Sequence, residues 1–371
     1  MQCAKIKCLS AAEVLHLNRI AAFVREAGLK DGEGAYITKS SNMYYLTGFT
    51  GEGVLAITPG DAAIITDFRY TEQAGRQAPG IPVEMVSKGV DHAAIAWRMF
   101  SSAGTEVVYI EDDHVTVRDC EHLKEVMAGA RLQSLAGVPE KMRVVKDEGE
   151  IACIRRACAI SCEAFEDLLS FAKAGMTEKQ VQLHLDYKMM ELGSEGLAFH
   201  TISASGPNGS LPHAVPSDRP IARGEMLTLD FGARYRGYDA DMTRTIAFGE
   251  PSAEMRRVYD TVLRAHLECE EMLAPGVECR SVDAHARDVI DTAGYRGRFG
   301  HSLGHGVGID IHENPRLSAS SSDILCPGHI VTVEPGIYLP GLGGVRIEDT
   351  CVITETGFET LVPAPKELII L

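Results

Sequence analysis

Residues 227–245, Leu-Thr-Leu-Asp-Phe-Gly-Ala-Arg-Tyr-Arg-Gly-Tyr-Asp-Ala-Asp-Met-Thr-Arg-Thr, constrain this chain more than any other stretch. Apolar and polar residues alternate on both sides of Tyr235-Arg-Gly-Tyr238, the pattern of a β-hairpin turning around Arg236-Gly237. Asp230 lies on the first arm and Asp241 on the second. Their separation is odd, so an even-length turn puts both side chains on one face, directly opposite or one diagonal step apart. Two carboxylates held that close raise one another's pKa unless a positive charge lies between them. A divalent cation suits that place. The alternative is two solvated aspartates on an exposed face, and the rest of the chain decides between them.

A chain of 371 residues is long for one core, so two domains are expected, 1–138 and 139–371, with Gly137-Val-Pro139 as the linker. A net charge of −16 argues against a nucleic-acid partner. The N-terminus shows no apolar run suited to a signal peptide, and no run approaches the ~20 apolar residues of a membrane span. Ten cysteines without regular spacing or any C-x-x-C pair read as reduced thiols of a cytoplasmic protein. Cys153, Cys158 and Cys162 fall at helical spacing and read as small buried side chains.

Ser10-Ala-Ala-Glu13 reads as a capping box opening a helix that runs to Gly28. Strand-like runs follow at 35–38, 54–57, 62–66, 83–86 and 107–110, with helical stretches near 69–78, 91–103 and 115–129. The pattern predicts a small α/β domain with a mixed sheet. It carries no G-x-G-x-x-G and no P-loop. The aromatic and polar segments 42–49 and 66–70 read as structural packing. Beyond the linker come helices from about Asp147 to Phe171 and from Thr177 to about Leu192, then a loop-rich stretch and the hairpin. Ser252 caps a helix to about Leu273, and Ser281 caps another to Gly294. Gly300–Gly308 is rich in Gly and His, and strands follow at 330–334 and 345–352. Helix, helix, ribbon thus occurs twice, which predicts two related halves with a ligand site between them.

Five candidate metal ligands stand in this second domain: Asp230, Asp241, His305, Glu334 and Glu348. Carboxylates with a single imidazole favour hard or borderline ions such as Mn²⁺, Co²⁺ or Zn²⁺. Four carboxylates are too many for one catalytic ion with an open position, and they suit a two-metal site. Glycines 304 and 306 flank His305 and allow close backbone approach. Glu334 and Glu348 lie in apolar strands, where an unpaired carboxylate is costly.

Thr228–Thr245, Gly304-His-Gly-Val-Gly308, Glu334-Pro-Gly-Ile-Tyr338 and Gly344-Val-Arg-Ile-Glu-Asp-Thr350 resemble the "pita-bread" metallopeptidases, within these the Xaa-Pro aminopeptidases and prolidases. The resemblance covers nearly the whole chain and includes Tyr-Leu-Thr-Gly-Phe and Thr-Asp-Phe-Arg-Tyr of the family's N-terminal domain. It implies a creatinase-like α/β domain followed by an α+β pita-bread domain with pseudo-two-fold halves. It implies Xaa-Pro hydrolysis with two divalent ions, Mn²⁺ or Co²⁺ before Zn²⁺, and a homodimer. Asp230 would bind one ion, Asp241 and Glu348 would bridge both, and His305 and Glu334 would complete the other. Glu334 would also act as general base on the bridging water. His213 and His312 would steady the substrate carbonyl and the tetrahedral intermediate. His301, Tyr338 and Arg346 would line the pocket for the proline ring, with Arg346 two residues from Glu348 on one strand face.

Methionine aminopeptidases resemble this chain in the same five ligands, but they normally lack the N-terminal domain and an Arg346 equivalent. Creatinase has the two-domain layout without this metal set. Histone-chaperone relatives are binding modules that have lost ligands, whereas all five positions are filled here.

Overall fold

The computed structural model describes residues 11–371, so the capping residue read at Ser10 and the cysteines Cys3 and Cys8 lie outside the described residues. The chain divides into two compact units, Met1–Arg143 and Val144–Leu371.

The first unit carries a six-stranded sheet. Its elements are α1 (Ala11–Glu26), β1 (Glu33–Ile37), α2 (Ser40–Thr47), β2 (Val54–Ile57), β3 (Ala62–Thr66), α3 (Thr71–Gln77), β4 (Val83–Met85), α4 (His92–Ser102), β5 (Val107–Ile110), α5 (Val117–Val126), β6 (Arg131–Ser134) and α6 (Val138–Arg143). The strand order is β4-β3-β2-β1-β5-β6. Pairs β1–β2 and β2–β3 are antiparallel and the rest parallel, so the sheet is mixed as expected.

Two features depart from the sequence-based expectations, the domain boundary and segment 66–70, while segment 42–49 meets its expectation. The expected boundary at 138/139 falls at the start of α6, whose buried Arg143 donates to Asn42 Oδ1 at 2.8 Å and so belongs to the first unit. Segment 42–49 does pack inside, but mostly as helix α2. Its Asn42 amide donates to the carboxylates of Glu111 (2.7 Å) and Glu140 (2.6 Å), so polar residues there mark a satisfied interior and not a loop. Segment 66–70 is different: Thr66 is buried but Phe68 is 83% exposed, so packing does not account for it.

The second unit contains α7 (Glu148–Phe171), α8 (Glu178–Glu191), β7 (Gly196–Leu197), β8 (Ile202–Ser205), β9 (Met226–Phe231), β10 (Ala233–Tyr235), β11 (Tyr238–Asp239), β12 (Met242–Ala247), α9 (Ala253–Glu271) and α10 (Cys279–Ile290). It ends with β13 (Gly304–Gly306), β14 (Glu313–Leu317), β15 (Ile330–Val333), β16 (Gly336–Leu339), β17 (Gly343–Arg346), β18 (Asp349–Ile353) and β19 (Phe358–Thr360). Helix, helix, ribbon recurs, as the sequence predicted. Asp147 and Thr177 form reciprocal capping boxes with Glu150 and Gln180, and Ser252 accepts from Met255 N. Ser281 is not a cap. The helix α10 starts at Cys279, and the Ser281 hydroxyl instead donates to the Glu278 carbonyl.

The hairpin turns at Arg236 and Gly237, both with positive φ (48° and 72°), the backbone of a type I′ turn. Phe231 pairs with Met242 and Asp230 with Thr243, so Asp241 sits one diagonal step from Asp230 on the same face. The expected strand 345–352 is two strands in two sheets: β17 pairs with β16, and β18 lies between β15 and β19. The chain breaks at Ile347 and Glu348. There Glu348 bridges Thr243 of the hairpin, its N–H donating to the Thr243 carbonyl at 3.0 Å. Among the described residues, no helix is long and apolar enough to cross a membrane. The eight described cysteines are free thiols, with Cys158 and Cys162 buried on α7 and Cys153 half-buried.

Candidate active site

Asp230 stands in β9, Asp241 at the break before β12, His305 in β13, Glu334 just after β15 and Glu348 between β17 and β18. Three of the five therefore lie where a strand has just stopped, and the pleat no longer dictates their direction. The structure brings all five into the wall of one cavity of about 850 Å³, together with His213, His301, His312 and Arg346.

Ligand atoms of Asp241, His305 and Glu348 all lie within 4.8 Å of one another. His305 Nε2 is 3.5 Å from Asp241 Oδ2 and 3.4 Å from Glu334 Oε1. Its Nδ1 lies 3.1 Å from the Gly306 carbonyl, which can only accept, so Nδ1 carries the proton and Nε2 turns a lone pair toward the carboxylates. Burial, then the neighbouring His312 ring 4.4 Å away, push the His305 pKa down to about 3. The imidazole is therefore neutral, as a metal ligand requires.

The acids are held just as firmly. Thr243 Oγ1 donates to Glu348 Oε2 at 2.7 Å and accepts from Arg346 Nε at 3.1 Å, which joins the two residues that the sequence placed on one strand face. Arg346 Nη2 donates to Asp230 Oδ2 at 2.6 Å, while Asp230 Oδ1 is buried with no hydrogen-bond partner. Burial, followed by the Glu348 charge, pushes Asp241 and Glu334 well above the usual carboxylate range. Burial and then Asp230 raise Glu348 to about 8. Among these four carboxylates Asp230 alone is paired with a guanidinium, that of Arg346, and its second oxygen is buried without a partner. That donor set fits divalent cations, and Arg346 alone does not neutralise it.

Glycines 304 and 306 are needed for the approach that the sequence suggested. A Cβ on Gly304 would meet the Thr332 carbonyl oxygen at 1.9 Å, and one on Gly306 would meet the Asn314 oxygen at 2.3 Å. Gly304→Ala is expected to force β13 away from β15, cost about 1–3 kcal/mol as an overpacked site does, and lower the metal content. Thermal melting with elemental analysis checks this, and a variant with wild-type Tm and metal content contradicts it.

His301, Tyr338 and Arg346 form one chain. Arg346 Nη1 donates to the Tyr338 hydroxyl at 2.8 Å, and that hydroxyl lies 2.8 Å from His301 Nε2. His301 Nδ1 is 2.9 Å from the Ser302 carbonyl, so Nε2 accepts from the phenol. Burial, then Arg346, lower His301 to about 4, consistent with a neutral ring. Tyr338 departs from expectation: it is buried behind the cavity wall, its hydroxyl occupied by its two neighbours, and does not itself face the cavity. Sequence reasoning also passed over residues that matter to this wall. Arg287 of α10 donates to the carbonyls of Phe299 (3.2 Å) and His301 (2.6 Å) and pairs with fully buried Asp283, clamping the loop that carries His301. The only signal was the i, i+4 spacing of an acid and a base on a helix. Phe199, His200 and Arg316 line the cavity and carried no motif.

Residues 152–355 match the model of Metallopeptidase family M24, and residues 17–145 match that of the Creatinase/Prolidase N-terminal domain. This chain belongs to metallopeptidase family M24. It is an enzyme of the kind whose relatives include Xaa-Pro dipeptidases. It is 44% identical over 340 residues to an "Uncharacterized peptidase" of Bacillus subtilis, YqhT, covering 91% of this chain and 96% of the relative. The solved Xaa-Pro dipeptidase from Bacillus anthracis superposes with a TM-score of 0.91 at 40% identity, over 97% of this chain and 100% of that one. An X-Pro aminopeptidase from Thermotoga maritima superposes with a TM-score of 0.87 at 35% identity, over 94% and 100%. As an M24 peptidase the chain depends on metal.

Proposed function

We propose that this M24 enzyme hydrolyses the peptide bond whose nitrogen belongs to proline, at the N-terminus of short peptides and in Xaa-Pro dipeptides. The observation that carries this is the locked chain Asp230–Arg346–Tyr338–His301. It places the neutral His301 ring beside the carboxylate cluster and engages His301 Nε2, the Tyr338 hydroxyl and the Arg346 guanidinium with one another, while the one unpartnered oxygen, Asp230 Oδ1, belongs to the carboxylate set. Proline's ring is flat-sided and its nitrogen has no hydrogen to donate, so a site for it needs a fixed wall and no free acceptor. Tyr338 contributes from behind, by holding His301 and Arg346.

Asp230, Asp241, His305, Glu334 and Glu348 would hold two divalent ions. The oxygen-rich donor set favours Mn²⁺ or Co²⁺ over Zn²⁺. When bound, such ions supply Lewis acidity and a water acidified toward neutral pH. Glu334 takes the proton of the attacking water on a carboxylate oxygen and passes it to the departing proline nitrogen. His213 and His312 donate to the substrate carbonyl oxygen as it gains charge. Arg346 keeps Asp230 oriented and bounds the proline side of the cleft. A cytoplasmic homodimer fits the free thiols and the family resemblance.

The test compares Ala-Pro with Ala-Ala in wild type and in Arg346→Ala. Wild type is expected to cleave Ala-Pro much faster, and the variant to lose chiefly that preference. Equal cleavage of both peptides by wild type replaces this reading with a broader aminopeptidase. Ala-Pro against Ala-Pro-Ala separates a dipeptidase from an enzyme of longer peptides, the two kinds that the solved relatives represent.

A further inference from the structure

The cleft wall that carries His213 is the loop between β8 and β9, and one side chain outside the cleft gathers it. Glu178, in the first turn of α8, has no solvent exposure. Its Oε1 accepts from Ser205 N (2.6 Å) and Ser205 Oγ (2.8 Å). Its Oε2 accepts from Asn208 Nδ2 (2.8 Å), Ser217 N (3.0 Å) and Ser217 Oγ (2.7 Å). Five donors from three points of one loop converge on a single carboxylate. A buried carboxylate is costly unless satisfied in this way, so the loop positions and the charge hold one another. Around it, Arg219 donates to the same Ser205 hydroxyl (2.8 Å) and pairs with Glu225 (2.8 Å). The Glu178 and Lys179 N–H groups donate to the carbonyls of Arg219 and Ser217.

Between these anchors the chain bulges into the cleft as Pro212-His213-Ala214-Val215-Pro216, all in the cavity wall. His213 is exposed and makes no side-chain hydrogen bond among the described residues, so its own contacts do not fix its place. The loop meets the site at one further point, where Arg346 Nη1 donates to the Pro212 carbonyl at 3.3 Å. We propose that Glu178 is the positioning residue for His213: it sets the span from Ser205 to Ser217 and so where the imidazole stands over the substrate carbonyl. This rests on the proposed peptidase role of His213. A loop carrying a transition-state donor has to be fixed to a fraction of an ångström, and the binding machinery of the opposite wall reaches it only through the 3.3 Å bond to the Pro212 carbonyl. Glu178→Gln keeps size but replaces one acceptor by a donor that faces donors.

The experiment uses the full chain loaded with Mn²⁺, with Glu178→Gln, Asn208→Ala, His213→Ala and the double variants. Tm, metal content, kcat and KM for Ala-Pro, and amide exchange of residues 205–217 are read for each. Glu178→Gln is expected to keep its metal and lose about 10- to 100-fold in kcat/KM, the scale of a misplaced group, mainly through kcat. Asn208→Ala is expected to lose less in the same direction, with faster exchange confined to the loop. Adding either substitution to His213→Ala is expected to cost almost nothing more. A folded Glu178→Gln with wild-type kcat overturns the proposal, as do losses that multiply with that of His213→Ala. Should Glu178→Gln not fold, Asn208→Ala decides by the same two criteria. A wild type that cleaves Ala-Ala as well as Ala-Pro removes the proline specificity alone, and the variants are then scored on Ala-Ala. A His213→Ala variant as active as wild type removes the role of His213 and the proposal with it.

Discussion

Glu334→Gln is expected to lower turnover by at least the ~10²–10⁴-fold typical of a lost acid–base group, in a protein that still folds. Glu334 follows β15 directly, its N–H donating to the Leu303 carbonyl at 2.8 Å, and its side chain reaches His305 and Thr332. The backbone that aims it is therefore independent of its charge. Glutamine keeps the shape and removes the basic oxygen together with one unit of negative charge. Because Glu334 is also assigned as a ligand, metal content has to be measured alongside kcat. A variant that retains metal and loses turnover supports the base role; one that loses both shows the ligand role to dominate. Near wild-type turnover takes Glu334 out of the mechanism.

Chelation is expected to abolish hydrolysis of Ala-Pro altogether, and Mn²⁺ or Co²⁺ to restore it. The reason lies in the electrostatics of the site. Asp241, Glu334 and Glu348 are all pushed upward, by burial first and then by neighbouring carboxylates, Glu348 acting on the first two and Asp230 on all three, and Arg346 is the cation that opposes the shift. Removing bound cations would leave like charges facing each other across a few ångströms, so the metal-free protein should also melt at lower temperature and regain stability on titration. Elemental analysis should give close to two ions per chain at saturation. Full activity in a sample shown by analysis to be metal-free would sink the two-metal reading, whatever the stability change.

Much of this was legible in local pattern. The alternation around Arg236-Gly237 predicts the ribbon, and its register puts Asp230 and Asp241 on one face because strand periodicity is two. The glycines beside His305 predict a crowded backbone, and Gly304 and Gly306 indeed face carbonyl oxygens that no Cβ could share. The capping boxes of the structure, at Asp147 and Thr177, depend only on neighbours three residues away. Other features were invisible for an equally plain reason. Periodicity reads Val345–Val352 as one strand, since nothing in those residues reports that Glu348 must leave β17 to meet Thr243 on another ribbon. Helix α2 looks like an irregular aromatic segment until Glu111 and Glu140, far along the chain, satisfy Asn42.

The sequence by itself thus determined the kinds of donor, the hairpin that pairs two of them, the helix caps at Thr177 and Ser252 and the family. Those depend on residue type and on spacings shorter than about one element. Only the tertiary structure decided that Tyr338 stands behind the wall, that Asp230 keeps an unpartnered oxygen, and that Arg287 and Glu178 each hold a loop of the cleft. Each of these joins residues distant in sequence through a side chain whose partner set is chosen by packing and by the cost of leaving a buried charge unsatisfied, and no local pattern encodes that choice.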